Sequence, residues 1–174
     1  MNKLLKRLVA LAVATVAVFS FSGCGMKPAT VPEENKAVIS KFESKTGIDG
    51  ICKTLFDKEY VEDSCVITNA ELIGATKGYR LTAKAVNGSN FNIEIYQYDT
   101  ANMNDTGKAV VESIKKNSSF DLFGKSVPYC YMSATDQYMF IYPDPKSVST
   151  KADDEENQKR LKEIKGIVNN AEIK

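Results

Sequence analysis

The spacing of apolar residues after position 31 first predicts two helices. Pro32, followed by Glu33 and Glu34, favours a helix start. Apolar residues then recur at helical spacing until Gly47, which can end the helix in a left-handed cap. Asp49 can cap a second helix with the same apolar periodicity. The two apolar stripes are Val38, Ile39 and Phe42, then Ile48, Ile51 and Leu55. We expect this helix pair to pack on a sheet.

From Val66 onward the apolar residues alternate, which is the pattern of a half-buried strand. The alternation continues on both sides of Asn87 and Gly88, a dipeptide that supplies the positive φ angles of a type I′ turn and so predicts a hairpin. The alternating residues are Tyr79, Leu81, Ala83 and Ala85, then Phe91, Ile93 and Ile95. Two further strands are predicted over residues 127–132 and 138–142, and Pro143 ends the second of them.

Two more helices complete the pattern. Asp105 or Thr106 begins the first, and the cap-like pair Asp153 and Glu156 begins the closing helix. The apolar residues of the closing helix are Leu161, Ile164, Val168 and Ala171. Because strands and helices do not alternate as in parallel folds, we predict one α+β domain over residues 32–174. Its antiparallel sheet has about five strands, with the helices packed on one face.

A different pattern precedes this domain. Three basic residues lie within the first seven positions, an uncharged apolar run spans residues 8–21, and Ser22 and Gly23 lead to Cys24. These are the n-region, h-region and small-residue cleavage site of a secretory signal. With the thiol at its end, the pattern resembles the lipobox of bacterial lipoproteins over roughly the first 24 residues. The body of the chain resembles small lipoproteins of the Gram-positive type, without matching a named family.

The resemblance implies that residues 1–23 are a signal peptide and that residues 24–31 are a tether. Cys24 would carry a diacylglycerol, with palmitate among its acyl chains, and would become the first residue. The implied location is the cell membrane, where the lipid anchor holds the protein on the extracytoplasmic side. A plain cleavable signal and an uncleaved membrane helix are the alternatives, although the apolar run is short for a span of about 20 residues.

Composition and charge exclude several functions. The 23 basic and 22 acidic residues are interspersed, so the chain lacks the basic stripe that nucleic acids require. The chain has no histidine, which excludes Ser-His-Asp and Cys-His catalysis and histidine metal sites. Residues 102–107 fall short of a calcium loop, and Gly107 with Lys108 falls short of a phosphate loop. We therefore predict no nucleic-acid partner, metal or cofactor.

The three cysteines beyond Cys24 have two predicted roles. Cys52 and Cys65 are candidates for a disulfide, because they enclose a short loop and the implied compartment is oxidising. Cys130 lies in an apolar run between two tyrosines, where a free cysteine commonly behaves as a small buried hydrophobe. We interpret Cys130 as a core residue rather than a nucleophile.

Tyrosines provide the one candidate binding surface. Six of them fall in predicted strands at even spacing, so several are expected to share a face: Tyr96, Tyr98, Tyr129, Tyr131, Tyr138 and Tyr142. Tyrosine offers large contact area with a polar tip, which suits recognition of a partner, although it also favours strands for packing alone. The sequence thus predicts a non-enzymatic binding module for a protein, peptide or small ligand. An envelope hydrolase or thiol enzyme using carboxylates or Cys130, and an accessory subunit of a membrane assembly, are the alternatives.

Overall fold

Eight strands and three α-helices form the part of the chain that the computed structural model describes, residues 35–85, 88–143 and 154–171. From Lys36 onward these residues belong to one compact unit. The helices are α1 Gly47–Asp57, α2 Asp105–Asn117 and α3 Asp154–Asn169. The strands are β1 Lys36–Ala37, β2 Val61–Ile67, β3 Lys77–Lys84, β4 Asn90–Gln97, β5 Phe120–Leu122, β6 Lys125–Val127, β7 Cys130–Met132 and β8 Tyr138–Ile141.

Six strands form one antiparallel sheet in the order β1-β2-β3-β4-β8-β7, while β5 and β6 form a separate hairpin. This confirms the predicted α+β class and antiparallel sheet. The hairpin of β3 and β4 is also present, but its loop has three residues. Ala85 N–H donates to Ser89 O, and Gly88, with φ +82°, donates from its N–H to Ala85 O. Asn87, the other half of the predicted type I′ turn, lies outside the described residues.

Side chains from the sheet fill two separate apolar clusters, one on each face. The first face packs against α1 and α3 and contributes Tyr79, Leu81, Ala83, Ile93, Ile95, Tyr138, Phe140 and Tyr142. The second face packs against α2 and contributes Tyr96, Tyr98, Met139, Ile141 and Cys130. The sequence predicts all helices on one face, whereas the structure places two there and the third on the other, because strand residues of both parities are apolar.

The segment before α1 differs from its prediction. In place of a helix through residues 38 to 42, β1 is followed by a 3-10 turn, Ile39–Lys41. Ala37 pairs with Cys65 of β2, and Ile39 is fully buried, whereas the neighbouring Val38 is exposed. Burial therefore alternates here instead of forming a helical stripe. Gly47, predicted to end a helix, begins α1 with φ +66°; the predicted start at Pro32 lies outside the described residues.

The boundaries of later elements follow local signals more closely. Helix α2 begins at Asp105 as predicted, with the Asn104 side chain accepting a hydrogen bond from Gly107 N–H at 2.8 Å. Helix α3 buries Leu161, Ile164 and Val168 of its predicted stripe, whereas Ala171 follows the end of the helix and is partly buried. The predicted cap residue Asp153 lies outside the described residues. The single strand predicted over residues 127–132 is broken, because Tyr129 has φ +61° and separates β6 from β7.

Within the described ranges, none of the helices combines the length and apolar character that crossing a membrane requires.

Candidate functional site

Several of the six tyrosines share a face as expected, but they divide between the two faces of the sheet and four of them are buried, so they do not form one exposed binding surface. Tyr138 and Tyr142 lie in the cluster under α1 and α3, whereas Tyr96 and Tyr98 lie in the cluster under α2. The reason is the register of β4 with β8, in which Tyr96 is opposite Met139. Directly opposed residues share a face, so even-numbered positions of β4 align with odd-numbered positions of β8. The tyrosines of the two strands therefore point in opposite directions.

Cys52 and Cys65 are free thiols, so the structure lacks the predicted disulfide. Both are buried in the first-face cluster, and burial raises the pKa of each thiol, that of Cys65 to about 11. Negative charge on Cys65 would further raise the pKa of Cys52. Cys24 lies outside the described residues.

Cys130 has the environment of a core residue. Its thiol donates a hydrogen bond to Val127 O at 3.2 Å, and burial raises its pKa to about 12. A nucleophilic cysteine needs the opposite, an accessible thiol with a lowered pKa. The geometry therefore disfavours the thiol-enzyme alternative at this residue.

Three carboxylates in the described part of the chain have a pKa below the usual value, those of Asp63, Asp99 and Glu163. The Asp63 carboxylate accepts hydrogen bonds from the Ser40 hydroxyl at 2.7 Å and from Ser40 N–H at 2.6 Å, and these bonds lower its pKa. Raised, not lowered, pKa values are typical of catalytic acids at neutral pH. In residues 35–85, 88–143 and 154–171, acids and cysteines nowhere form a group of three or more able to hold a metal ion.

The most distinctive site is a pocket of about 420 Å³ beside strand β7, which is the last strand of the sheet. We call it the β7 pocket. Its walls are the C-terminal end of α2, strand β7 with the turn that follows it, and the last turns of α3. Its volume lies within the usual range for ligand pockets. Cys130 and Phe140 are its most buried lining residues, and Lys115, Asp136 and Lys165 carry its charges.

Lys165 is the unusual charge of the β7 pocket. Its ammonium lies 4.0 Å from the centroid of the Tyr131 ring, which itself stacks on Phe140 at 5.0 Å. Partial burial lowers the pKa of Lys165. In the described part of the chain no carboxylate lies within ion-pair distance of it, whereas Lys115 is paired with Asp136 at 2.9 Å. A cation–π contact stabilises an ammonium less well than a buried carboxylate would.

The backbone of β7 adds a donor and an acceptor at the same place. Tyr142 N–H donates to Tyr129 O and Ser133 N–H donates to Tyr138 O, so residues 129, 131 and 133 bond inward to β8. Alternate residues of an antiparallel edge strand direct their backbone groups outward. Met132 N–H and C=O therefore face away from β8, and neither has a hydrogen-bond partner among the described residues.

The N–H groups of Cys130 and Ala134, on either side of Met132, are already bonded to the two helices. Cys130 N–H donates to Ser118 O at 2.9 Å, at the end of α2. Ala134 N–H donates to the Asn169 side-chain oxygen at 2.9 Å, at the end of α3. The two helices thus close the sheet edge above and below one open position.

Two other charged clusters stabilise the fold without leaving a group open. On the second face, Glu94 accepts hydrogen bonds from Arg80 at 2.8 Å and from the Tyr96 hydroxyl at 2.6 Å. At the start of α1, Asp49 accepts two hydrogen bonds from Lys77 and one from the Tyr79 hydroxyl. Each carboxylate has a cationic partner at 2.8 Å, so we assign these clusters to folding.

Sequence reasoning missed the residues that define the β7 pocket. Lys165 directly follows Ile164 of the buried stripe, so it lies at the margin of the packed helix face. A lysine at such a margin buries its stem along apolar surface, and this position could have indicated a partly buried charge. Met132 carried no such signal, because its role depends on β7 being an edge strand. The one predicted tyrosine that contributes to the pocket is Tyr131.

The fold and the site together define an α+β protein with a ligand-sized pocket at a sheet edge. No protein-family model, curated protein or solved structure matches the chain.

Proposed function

We propose that this protein is a lipoprotein of the bacterial cell envelope, anchored through Cys24 on the extracytoplasmic side of the membrane, whose folded domain binds a partner through the β7 pocket. The observation that carries the anchor is the order of basic, apolar and small residues before Cys24. The observation that supports binding is that, among the described residues, the Lys165 ammonium has no carboxylate partner and the nearby backbone groups of Met132 have no hydrogen-bond partner.

A binding role agrees better with the site chemistry than catalysis does. General acid–base and nucleophilic catalysis need groups whose pKa values are tuned toward neutrality. Here the cysteine in the pocket has its pKa raised to about 12, and the chain contains no histidine. Lys165 and an aromatic stack can instead hold and orient a ligand.

The anchor rests on simple energetics. Each methylene placed in the bilayer contributes about 0.8 kcal/mol, so a single acyl chain binds only marginally, while the two chains of a diacylglycerol hold a protein stably. A tether over residues 24–31 would keep the domain near the membrane surface without inserting it.

Replacement of Cys24 by serine tests the anchor. We expect the full-length chain, expressed in a bacterium and labelled with an alkyne palmitate, to lose the label and its processing in Cys24→Ser. The matched control is Cys130→Ser, which removes a different thiol and should keep the label. If Cys24→Ser is labelled, processed and retained on membranes like the unchanged chain, the anchor proposal is wrong.

Photo-cross-linking in cells tests binding through the β7 pocket. A photoreactive residue in place of Met132 should give a discrete adduct, and the same residue in place of Glu112, exposed on α2, should not. The adduct should weaken when Lys165→Gln is added, because that change removes the ammonium. Equal adducts at both positions, or none at Met132, would contradict the proposal. An adduct with an integral membrane protein would identify the chain as an accessory subunit.

A further inference from the structure

We infer that the β7 pocket takes a short, extended peptide with an acidic side chain: one peptide residue pairs with Met132 through two backbone hydrogen bonds, and the carboxylate binds Lys165. This inference rests on the proposed binding function and adds the chemistry of the ligand.

The backbone of Met132 selects the peptide class. Both its N–H and its C=O face outward without a partner in the described residues, so the open position is one donor beside one acceptor. An amide backbone in an extended conformation matches this pair, since its own C=O and N–H lie at the same spacing. A simple carboxylic acid at neutral pH supplies acceptors only and would leave Met132 C=O unsatisfied.

The bonded N–H groups on either side of Met132 limit how many peptide residues can pair with β7. Ser118 O already accepts from Cys130 N–H, and the Asn169 side chain already accepts from Ala134 N–H. A long added strand would need both of these positions. The peptide can therefore pair at one residue only, and its flanking side chains must fit within about 420 Å³.

Charge selects the acidic side chain. The Lys165 ammonium is held over the Tyr131 ring at 4.0 Å, is partly shielded from water and has no carboxylate within ion-pair distance among the described residues. The other lysine of the pocket, Lys115, is already paired with Asp136. A carboxylate from the ligand would therefore meet Lys165 first, and a charge-assisted bond there is stronger than the cation–π contact alone.

The test uses the full-length chain in detergent micelles, immobilised and exposed to two pooled libraries of pentapeptides. All peptides are acetylated and amidated, so they carry no terminal charge. One library has a single glutamate among uncharged residues, and the other has glutamine at the same position. We expect glutamate peptides to be enriched about tenfold or more over their glutamine twins, since a hydrogen bond to a charged group contributes about 1.5–3 kcal/mol.

Variants of the protein then separate charge from backbone pairing. Lys165→Gln should weaken binding of the enriched peptide about tenfold, whereas Lys165→Arg should largely keep it. Lys162→Gln is the matched control, because Lys162 is exposed on the same helix and the charge change is identical. Met132→Pro removes the outward N–H while leaving the bonds to β8, which use residues 129 and 133, and it should weaken binding about as much.

A change in the peptide keeps the pairing testable even where Met132→Pro misfolds. An ester twin replaces the peptide amide that faces Met132 and so removes its N–H; it should bind about tenfold more weakly. Equal binding of glutamate and glutamine peptides would overturn the role of Lys165, and equal binding of the ester twin would overturn the pairing. Enrichment of no peptide at all would overturn this inference, while the cross-link in cells would still decide the proposed function.

Discussion

Two helical glycines should respond in opposite ways to the same substitution. Gly50 lies in α1 and Gly166 in α3. A Cβ atom added at Gly50 would lie 2.4 Å from both the backbone carbon and the oxygen of Lys45, whereas a Cβ at Gly166 would meet nothing within 4 Å. The comparison therefore isolates one close contact between the loop before α1 and the helix itself.

The magnitudes follow from helix propensity and crowding. Alanine in a helix interior is favoured over glycine by about 0.5–1 kcal/mol, so Gly166→Ala should stabilise the fold by that amount. Gly50→Ala gains the same propensity but crowds a backbone that cannot rotate away, and overpacking of this kind costs about 1–3 kcal/mol. Thr46 O accepts a hydrogen bond from Gly50 N–H at 3.1 Å, which holds the loop against the helix. We expect a net loss of about 1–2 kcal/mol.

Thermal unfolding of the full-length chain in one detergent measures both variants under the same conditions. For a chain of this size, 1 kcal/mol shifts the Tm by about 2–4 °C, so the two variants should move in opposite directions and differ by several degrees. A Tm for Gly50→Ala as high as that for Gly166→Ala would refute the close contact at Lys45.

Two further predictions concern buried polar groups. The free energy of unfolding should fall as pH rises above about 8.5, where unfolded thiols lose their protons while Cys65 and Cys130, with pKa values of about 11 and 12, keep theirs. Each such thiol lowers stability by about 1.4 kcal/mol per pH unit, and Cys130→Ala should make the decline shallower in urea unfolding between pH 8 and 9.5. Asn157→Leu should raise stability by about 1–3 kcal/mol in the same assay, because the Asn157 side chain is fully buried and neither amide atom has a hydrogen-bond partner in the part of the chain that the structure describes.

Each of these has a matched comparison. If the free energy of unfolding falls equally with pH in Cys130→Ala and in the unchanged chain, the native Cys130 thiol titrates like an exposed one. That result would contradict its burial. Asn170→Leu changes an exposed asparagine near the end of the same helix and should leave stability nearly unchanged. A loss of stability in Asn157→Leu would mean that the amide has a compensating contact.

Elements with strong local signals could be predicted from the sequence. The β3–β4 hairpin combines alternation with a glycine at positive φ, and α2 begins at a side-chain cap. Helix α3 repeats its buried residues at helical spacing. In these elements the pattern and the local backbone chemistry favour the same structure.

Elements that depend on distant partners could not be predicted in the same way. Val38, Ile39 and Phe42 fit a helical stripe, yet β1 forms because Ala37 pairs with Cys65, which follows it by nearly thirty residues. The division of the tyrosines between two faces has a similar cause, since the register of Tyr96 with Met139 decides which side each ring takes. A shift by one residue reverses every side chain of a strand, and sequence periodicity does not fix that shift.

The residues of the β7 pocket also could not be predicted from local sequence patterns. Lys165, Tyr131 and Met132 come together only because β7 is the outermost strand and the last turns of α3 lie beside it. The chain enters the sheet at β1, the opposite edge, five strand spacings or about 24 Å away. The twelve residue steps from Cys24 to Lys36 can span at most about 40 Å. If Cys24 is the anchor, the domain is thus held by one edge while the β7 pocket lies at the other, so attachment to the membrane does not require the pocket to be covered.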